Sequence, residues 1–370
     1  MGGTQRAMLD IFAQLDRTRY QIQVVCPQPG PLTQELFRLK IPVHFVPSLV
    51  PRTHPWRDYQ AYRELRRFFA LNQFQIVHTH SAKPGILGRS AARRAGVPVV
   101  VHQVRAPAVD ESSNWAARLL HGQRERRAAH DCDCMIFANR EARESAVGKG
   151  WMPPENCITV YSGVDLQAIH PRHRPQQREV YRARWASSGE EFIVLFLSRL
   201  DASKQPLLLA EIAGRLDILR PRRSWQLLVA GVGPLESPLA QAIKSMQLEH
   251  RVRMLGWQDN SPELLLAADA VVLPSAVEAL PRSLIEAQAA GLPIVASDIQ
   301  GNREIVVEGT GFRCPPKPPD AYAFSLARLL DSPELCGALG QAGRRRAEEC
   351  FDVVANNRKI AAIYESLLAS

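Results

Sequence analysis

Residues 273–297 read LPSAVEALPRSLIEAQAAGLPIVAS. The apolar run AVVLP, 270–274, ends inside their start, and PIVAS, 293–297, closes them, so two strand-like segments bracket the stretch. Between them Pro281 stands where a helix can begin without losing a needed N–H, and Gly291 stands where one can end. Strand, loop, helix and strand in succession build a parallel sheet covered by helices, and that reading decides the fold. The helix start leaves backbone N–H groups free around Arg282, Ser283 and Leu284, which suits a diphosphate. Glu278 in the loop and Glu286 in the helix would then flank one ligand and accept hydrogen bonds from sugar hydroxyls. Taken alone, the two glutamates read more readily as a cap neighbour and a solvated helix face.

Two further stretches fall on the same pattern. In FLSRLDASKQPLLLA, 196–210, a strand ends at Ser198, and Arg199 and Lys204 bracket a short loop before a helix. Two cations at a strand's C-terminal edge suit a pyrophosphate. In LLVAGVGPLES, 227–237, Gly231 and Gly233 make a tight turn after a strand, which either lets a ligand approach the backbone at Gly233 or, as a lone G-x-G more often does, is simply a turn. The strand-like runs EFIVLFLS, SWQLLVAG, VRMLG, AVVLP and PIVAS form one alternating set. An earlier set comprises QIQVVCP, PVHFVPS, QIVHTH, VPVVVHQV and CMIFAN, with helical stretches at 31–39, 56–71, 84–95 and 113–130. Residues 163–190 are polar, carry Pro171 and Pro175, and break the rhythm. The chain therefore divides into an N-terminal Rossmann-like domain (1–165), a linker region (166–190), a C-terminal Rossmann-like domain (191–350) and a final helix (351–370) that can pack back on the first domain. Arg344, Arg345 and Arg346 are expected on an exposed helix face.

The 370 residues, 46% hydrophobic and 22% charged, fit about two soluble domains. No apolar run approaches the roughly 18–20 residues that span a bilayer, and the start lacks a signal-peptide pattern. Seven scattered cysteines without a C-x-x-C favour reduced thiols over disulfides or zinc, hence a cytoplasmic setting. Charge is uneven: residues 1–170 carry 22 Lys+Arg against 14 Asp+Glu, whereas residues 171–370 carry 24 against 23. The basic first half suits an anionic partner or simply solvated arginine faces. Charge alone, without a recognisable motif, does not make a nucleic-acid binder.

In order and spacing, SRLDASK, GVGP, LPSAVEALPRSLIEA and DIQGNREIV, with Gly301 and Glu304, resemble the retaining glycosyltransferases of the E-x7-E group (glycosyltransferase family 4-like, "glycosyl transferases group 1"). The first half shares the resemblance through GGTQ, HTHSAKPGILGR and VYSGVD. The resemblance implies an α/β, GT-B fold: two Rossmann-like α/β/α domains facing a central cleft. It also implies transfer of a hexosyl-type unit, with retention, from a UDP-sugar or GDP-sugar to a glycan or lipid-linked acceptor in cell-surface polysaccharide, lipopolysaccharide or glycolipid synthesis. No metal and no further cofactor are expected, because cations and helix-start amides take the charge. By the same resemblance Arg199 and Lys204 would neutralise the donor diphosphate, Glu286 would hold the ribose and Glu278 the transferred sugar. Gly2 and Gly3 would bring backbone close to the donor from the opposite domain. A nucleotide-sugar epimerase or hydrolase on this fold, or a non-catalytic nucleotide-sugar-binding relative, remain the alternative readings.

The chain departs from the family pattern at Ser198, Ala279 and Gln5, and at the strand end VVVHQVRA, where His102 is kept but Gln103, Arg105 and Ala106 replace the other usual residues. Arg105 suits an anionic acceptor or sugar rather than proton transfer. His80 shares a strand face with His78 and is expected to position the acceptor or the loop 81–85. The helix 56–74 carries Arg63, Arg66 and Arg67 beside an apolar stripe of Tyr59, Tyr62, Leu65 and Phe69. With Arg89, Arg93 and Arg94 it forms the expected contact with anionic membrane on the inner face of the cell membrane. Finally, Gly2 and Gly3 end a loop that a strand normally delivers, so a Val/Ile/Leu-rich strand is expected upstream of Met1.

Overall fold

The structure, a computed structural model, describes residues 3–50, 54–104, 115–169, 175–186 and 190–370. They fall into two compact units, residues 1–162 with 353–370, and residues 163–352.

In chain order the first unit holds α1 (Gly3–Gln14), β1 (Val24–Cys26), α2 (Pro31–Arg38), β2 (Val43–Phe45), α3 (Pro55–Asn72), β3 (Ile76–His80), α4 (Ala82–Arg94), β4 (Val99–Val104), α5 (Trp115–Ala129), β5 (Cys134–Phe137), α6 (Arg140–Gly148) and β6 (Cys157–Thr159). All pairings are parallel. β1 and β2 form one sheet and β3-β4-β5-β6 another, and among the described residues no strand joins them. Alternation along β4 builds two cores, as the pleat requires. Val99 and Val101 pack with Ile11, Ile136 and Val160 on one face. Val100 packs with Val77, Leu65, Phe69 and Ala91 on the other. Helix starts follow local chemistry: the His54 ring accepts from the Arg57 N–H ahead of Pro55, and the Asn139 side chain accepts from the Ala142 N–H at 2.7 Å.

The second unit holds α7 (Pro175–Trp185), β7 (Phe192–Leu197), α8 (Leu207–Leu219), β8 (Trp225–Ala230), α9 (Glu236–Ser245), β9 (Val252–Gly256), α10 (Ser261–Ala267), β10 (Ala270–Leu273), α11 (Arg282–Ala289), β11 (Ile294–Ser297), α12 (Gln300–Ile305), β12 (Gly311–Cys314), α13 (Asp320–Asp331) and α14 (Pro333–Cys350). Its six parallel strands run in the order β12-β11-β10-β7-β8-β9. The chain starts at the centre with β7 and moves outward both ways, so the C-terminal edge of β7 is a switch point where ligands bind in such sheets. The last helix, α15 (Val353–Ala369), belongs with the first unit, where Ile360 and Tyr364 enter the core beside Val99 and Val101.

Two expectations change, and two strands are added. Part of the polar stretch 163–190 is α7, tied into the second unit because Arg178 and Arg182 both pair with Asp269, at 2.7 and 2.8 Å. Of the three arginines on α14, only Arg345 is exposed. Arg344 donates to the carbonyls of Ile169 and Ala289, and Arg346 to those of Glu304 and Ile305. Two short strands, β6 and β12, carry too little apolar pattern to be legible beforehand. In β12 a Cβ at Gly311 would meet the Ile294 carbonyl, so the chain pairs there only through a glycine.

Candidate functional site

In the second unit the loops after β7 and β10 meet. Asp201 caps a single turn by accepting from the Ser203 N–H at 3.0 Å and the Ser203 hydroxyl at 2.6 Å. That turn presents Lys204. The Ser203 carbonyl accepts from the Ala276 N–H at 2.8 Å and so fastens the loop after β10 to it. Across this junction Lys204 Nζ lies 2.7 Å from Glu278 Oε1, both side chains being largely buried. Ser275 Oγ donates to the same oxygen at 2.8 Å. Arg199 takes the other role at this edge: its side chain is 72% exposed and its guanidinium lies 2.8 Å from Asp201. One cation is thus sunk and fixed, the other extended into solvent.

On α11, Glu286 is nearly buried and accepts from Arg282 Nε at 2.9 Å, while Arg282 Nη1 reaches the Gly163 carbonyl at 3.3 Å. Of the helix-start amides, Leu284 N–H closes onto the Pro281 carbonyl, and the Leu284 side chain is wholly buried. The Ser283 N–H has no acceptor among the described residues. It is the amide this helix start can offer an anion. At Gly233 the close approach is to protein: a Cβ there would overlap the Leu200 carbonyl, and one at Gly231 would overlap that of Ser198. The two glycines press the loop after β8 against the loop carrying Arg199. Gly233 therefore backs the loop that carries Arg199.

In the first unit, Gly3 opens α1 with open space at its Cβ position, while Gly2 and Arg105 lie outside the described residues. His80, at the end of β3, is half-buried, its ring 4.3 Å from that of His78, whose Nδ1 lies 2.5 Å from the Tyr364 hydroxyl. His102 is buried, its Nδ1 2.9 Å from Thr79 Oγ1 and its ring pressed against Gly85 of α4. Burial, then the nearby charge of Arg89, then His78, hold its pKa well below the usual histidine value. A neutral, enclosed imidazole cannot touch an acceptor or sugar, so the expected contact from His102 is replaced by packing. Arg89 is also buried, 2.6 Å from Glu125, and Arg93 lies 2.6 Å from Asp133. Arg89 is thereby removed from the expected membrane surface. No group of three or more His, Cys, Asp or Glu side chains gathers as a metal cluster among the described residues.

Sequence reasoning missed three side-chain contacts around these loops, those of Ser275, Arg282 and Asn302, although it placed the Arg282 amide at the helix start. Ser275 carried a faint signal, a serine three residues before Glu278. The others act through contacts that spacing does not report.

A parallel-sheet unit that presents two cations and a helix-start amide at its switch point is suited to the phosphates of a nucleotide ligand. Comparison with known proteins agrees. Residues 2–163 match the family described as glycosyl transferase 4-like domain, and residues 177–346 match glycosyl transferases group 1. A galactosyltransferase of Escherichia coli, UDP-Gal:alpha-D-GlcNAc-diphosphoundecaprenol alpha-1,3-galactosyltransferase, is 30% identical over 372 residues, covering 100% of this chain and 95% of that protein. Among solved structures, Anabaena HepE in complex with UDP and glucose superposes with a TM-score of 0.82 at 21% identity, over 99% of this chain and 96% of that one. WaaG, a glycosyltransferase involved in lipopolysaccharide biosynthesis, does so with a TM-score of 0.77 at 17% identity, over 98% and 96%. The chain belongs to the group 1, family 4-like glycosyltransferases, and its fold is GT-B.

Proposed function

We propose that this hexosyltransferase moves a sugar from a UDP-sugar, with retention, to a lipid-linked glycan acceptor. The observation that carries the reading is the Lys204–Glu278 pair, held at 2.7 Å by two loops that meet at the switch point. Lys204, Arg199 and the Ser283 amide are suited to the charge that grows on the departing diphosphate. Glu278 faces the sugar and Glu286 the ribose. The nucleoside diphosphate leaves and the acceptor hydroxyl arrives on the same face of the sugar, its proton passing to the departing phosphate, so configuration is kept. The E. coli relative, which by its name uses UDP-Gal and a diphosphoundecaprenol acceptor, supports the choice of uridine and of a lipid-linked acceptor.

A melting panel of UDP-, GDP- and ADP-sugars tests the donor, because a ligand that binds only the folded state raises Tm. UDP-sugars are expected to give the largest rise. Lys204→Ala should lower kcat by about two orders of magnitude, the scale of one preorganised transition-state donor. Glu286→Ala should instead raise the donor KM by about tenfold, the scale of a lost hydrogen bond to a charged group. Normal transfer by both variants would refute the site.

The acceptor's chemistry calls for a membrane contact, and the outer face of α3 is suited to one. Trp56 and Tyr59 are 71% and 53% exposed there, and Leu71 is 72% exposed at the far end of the helix. Arg57, Arg63, Arg66 and Arg67 are exposed on the same helix, with Arg63 over the Tyr59 ring. Aromatic rings among arginines suit the headgroup layer of an anionic leaflet. Among the described residues no helix is long and apolar enough to cross a membrane.

A further inference from the structure

The buried polar chain behind Glu278 ends on Asn302, and the geometry points to Asn302 as the positioning residue that sets how Glu278 meets the donor sugar. This rests on the reading of Glu278 as the sugar-facing carboxylate. Asn302, in α12, is fully buried, and its Nδ2 donates to the Ser297 carbonyl at 2.9 Å and to Ser297 Oγ at 3.0 Å. A carbonyl only accepts, so the amide nitrogen must face it and the Asn302 orientation is determined. Ser297 Oγ spends its one proton on the Ser275 carbonyl at 2.6 Å. Ser275 Oγ then donates to Glu278 Oε1. Ser275 and Ser297, like Asn302, are fully buried, so bulk solvent does not reach their side chains.

Two observations set Asn302 apart from an ordinary core residue. Its Oδ1 is buried with no hydrogen-bond partner among the described residues, an arrangement an apolar side chain would avoid, so its place is explained by what Nδ2 holds rather than by packing. The preceding residue, Gly301, lets α12 lie against the sugar loop itself: a Cβ there would sit 2.6 Å from the carbonyl oxygens of both Glu278 and Ala279. Thus α12 braces the Glu278 loop twice, by backbone at Gly301 and through the serines at Asn302. The consequence is chemical. Lys204 and Ser275 both land on Oε1, which turns Oε2 toward the remaining partner, a hydroxyl of the transferred sugar.

The effect must therefore concern the sugar and not the nucleotide, which separates positioning from general stability. Asn302→Leu removes both donors at similar volume, and Ser275→Ala cuts the last link without touching α12. Affinities for UDP-galactose and for UDP are measured for each variant, or for the GDP pair if the melting panel selects guanosine. Both variants should bind the nucleotide sugar roughly tenfold more weakly, one hydrogen bond to a charged group, while binding of the free nucleoside diphosphate stays at the wild-type value. Equal weakening of both ligands, or of neither, overturns the inference. Glu278→Gln is the reference. If that variant discriminates and the other two do not, Asn302 has no positioning role. If Glu278→Gln itself leaves sugar binding intact, the sugar-facing reading of Glu278 falls and this inference with it.

Discussion

Gly85 and His102 compete for one volume. The His102 ring lies where a Cβ on Gly85 would stand, and the same helix face brings Gly88 onto the Thr79 methyl. Without side chains at 85 and 88, α4 can settle onto β3 and β4 and cover the Thr79–His102 hydrogen bond. Gly85→Ala should therefore lower stability by about 1–3 kcal/mol through overpacking, read as a fall in Tm. His102→Ala in the same chain should recover part of it, and a Gly85→Ala protein with unchanged Tm would show that the imidazole can move aside. Residue-scale roles divide cleanly by how visible they are in sequence. Lys204, Glu278 and Glu286 stand out because motif spacing places them on loops and helix starts at a sheet edge. That Lys204 pairs with Glu278 is invisible to spacing, since 74 residues separate them and only the adjacency of β7 and β10 joins them. The burial of His102 was hidden for a related reason: β4 is covered on both faces, so its side-chain alternation marks no outer side.

Among the elements, α3 shows what periodicity can and cannot tell. Leu65 and Phe69 face inward, as read from the sequence, with Ala61 joining them, but Tyr59 turns outward with Trp56 instead. The aromatic residues that lie on the solvent side, among arginines, are the ones to which the membrane proposal assigns a role. Vesicles containing anionic lipid should bind the protein more tightly than neutral ones, and salt should weaken the binding. Arg66→Ala together with Arg67→Ala should lower partitioning roughly thirtyfold, at about 1 kcal/mol per arginine. Salt-independent binding, equal on both vesicle types, would remove α3 from this role. Other elements were legible to different degrees. The strands β3, β4, β5, β7, β8, β10 and β11 fall within the runs read from sequence, because each contains adjacent β-branched or large apolar residues. α7 was lost in the polar stretch before it, since what holds it is the arginine pair on Asp269 rather than an apolar stripe.

For the whole molecule, the chain leaves its first unit at Ser162 and returns to it at Val353. At these crossings Val164 pairs with Asp352, and the Val164 N–H donates to the Phe351 carbonyl at 2.9 Å. The second unit therefore closes on itself before α15 begins, whereas the first unit is incomplete without it. Ile360 and Tyr364 sit in that unit's core, Asn357 Nδ2 donates to the Asp10 carbonyl at 2.9 Å, and Arg19 pairs with Glu365. Burial of Ile360 alone is worth about 2 kcal/mol. A chain ended after Asp352 should accordingly lose stability in one unit only. In amide hydrogen exchange, β3, β4 and β5 should lose protection while β7, β8 and β10 keep theirs, because local stability follows the contacts each unit retains. Transfer should fail in the same protein, yet the nucleotide should still bind, since Lys204, Glu278 and Glu286 all lie in the unit that stays folded. Uniform loss of protection across both units would mean that α15 supports the molecule as a single cooperative body. Unchanged protection in β3 and β4 would mean that their core does not depend on Ile360 and Tyr364.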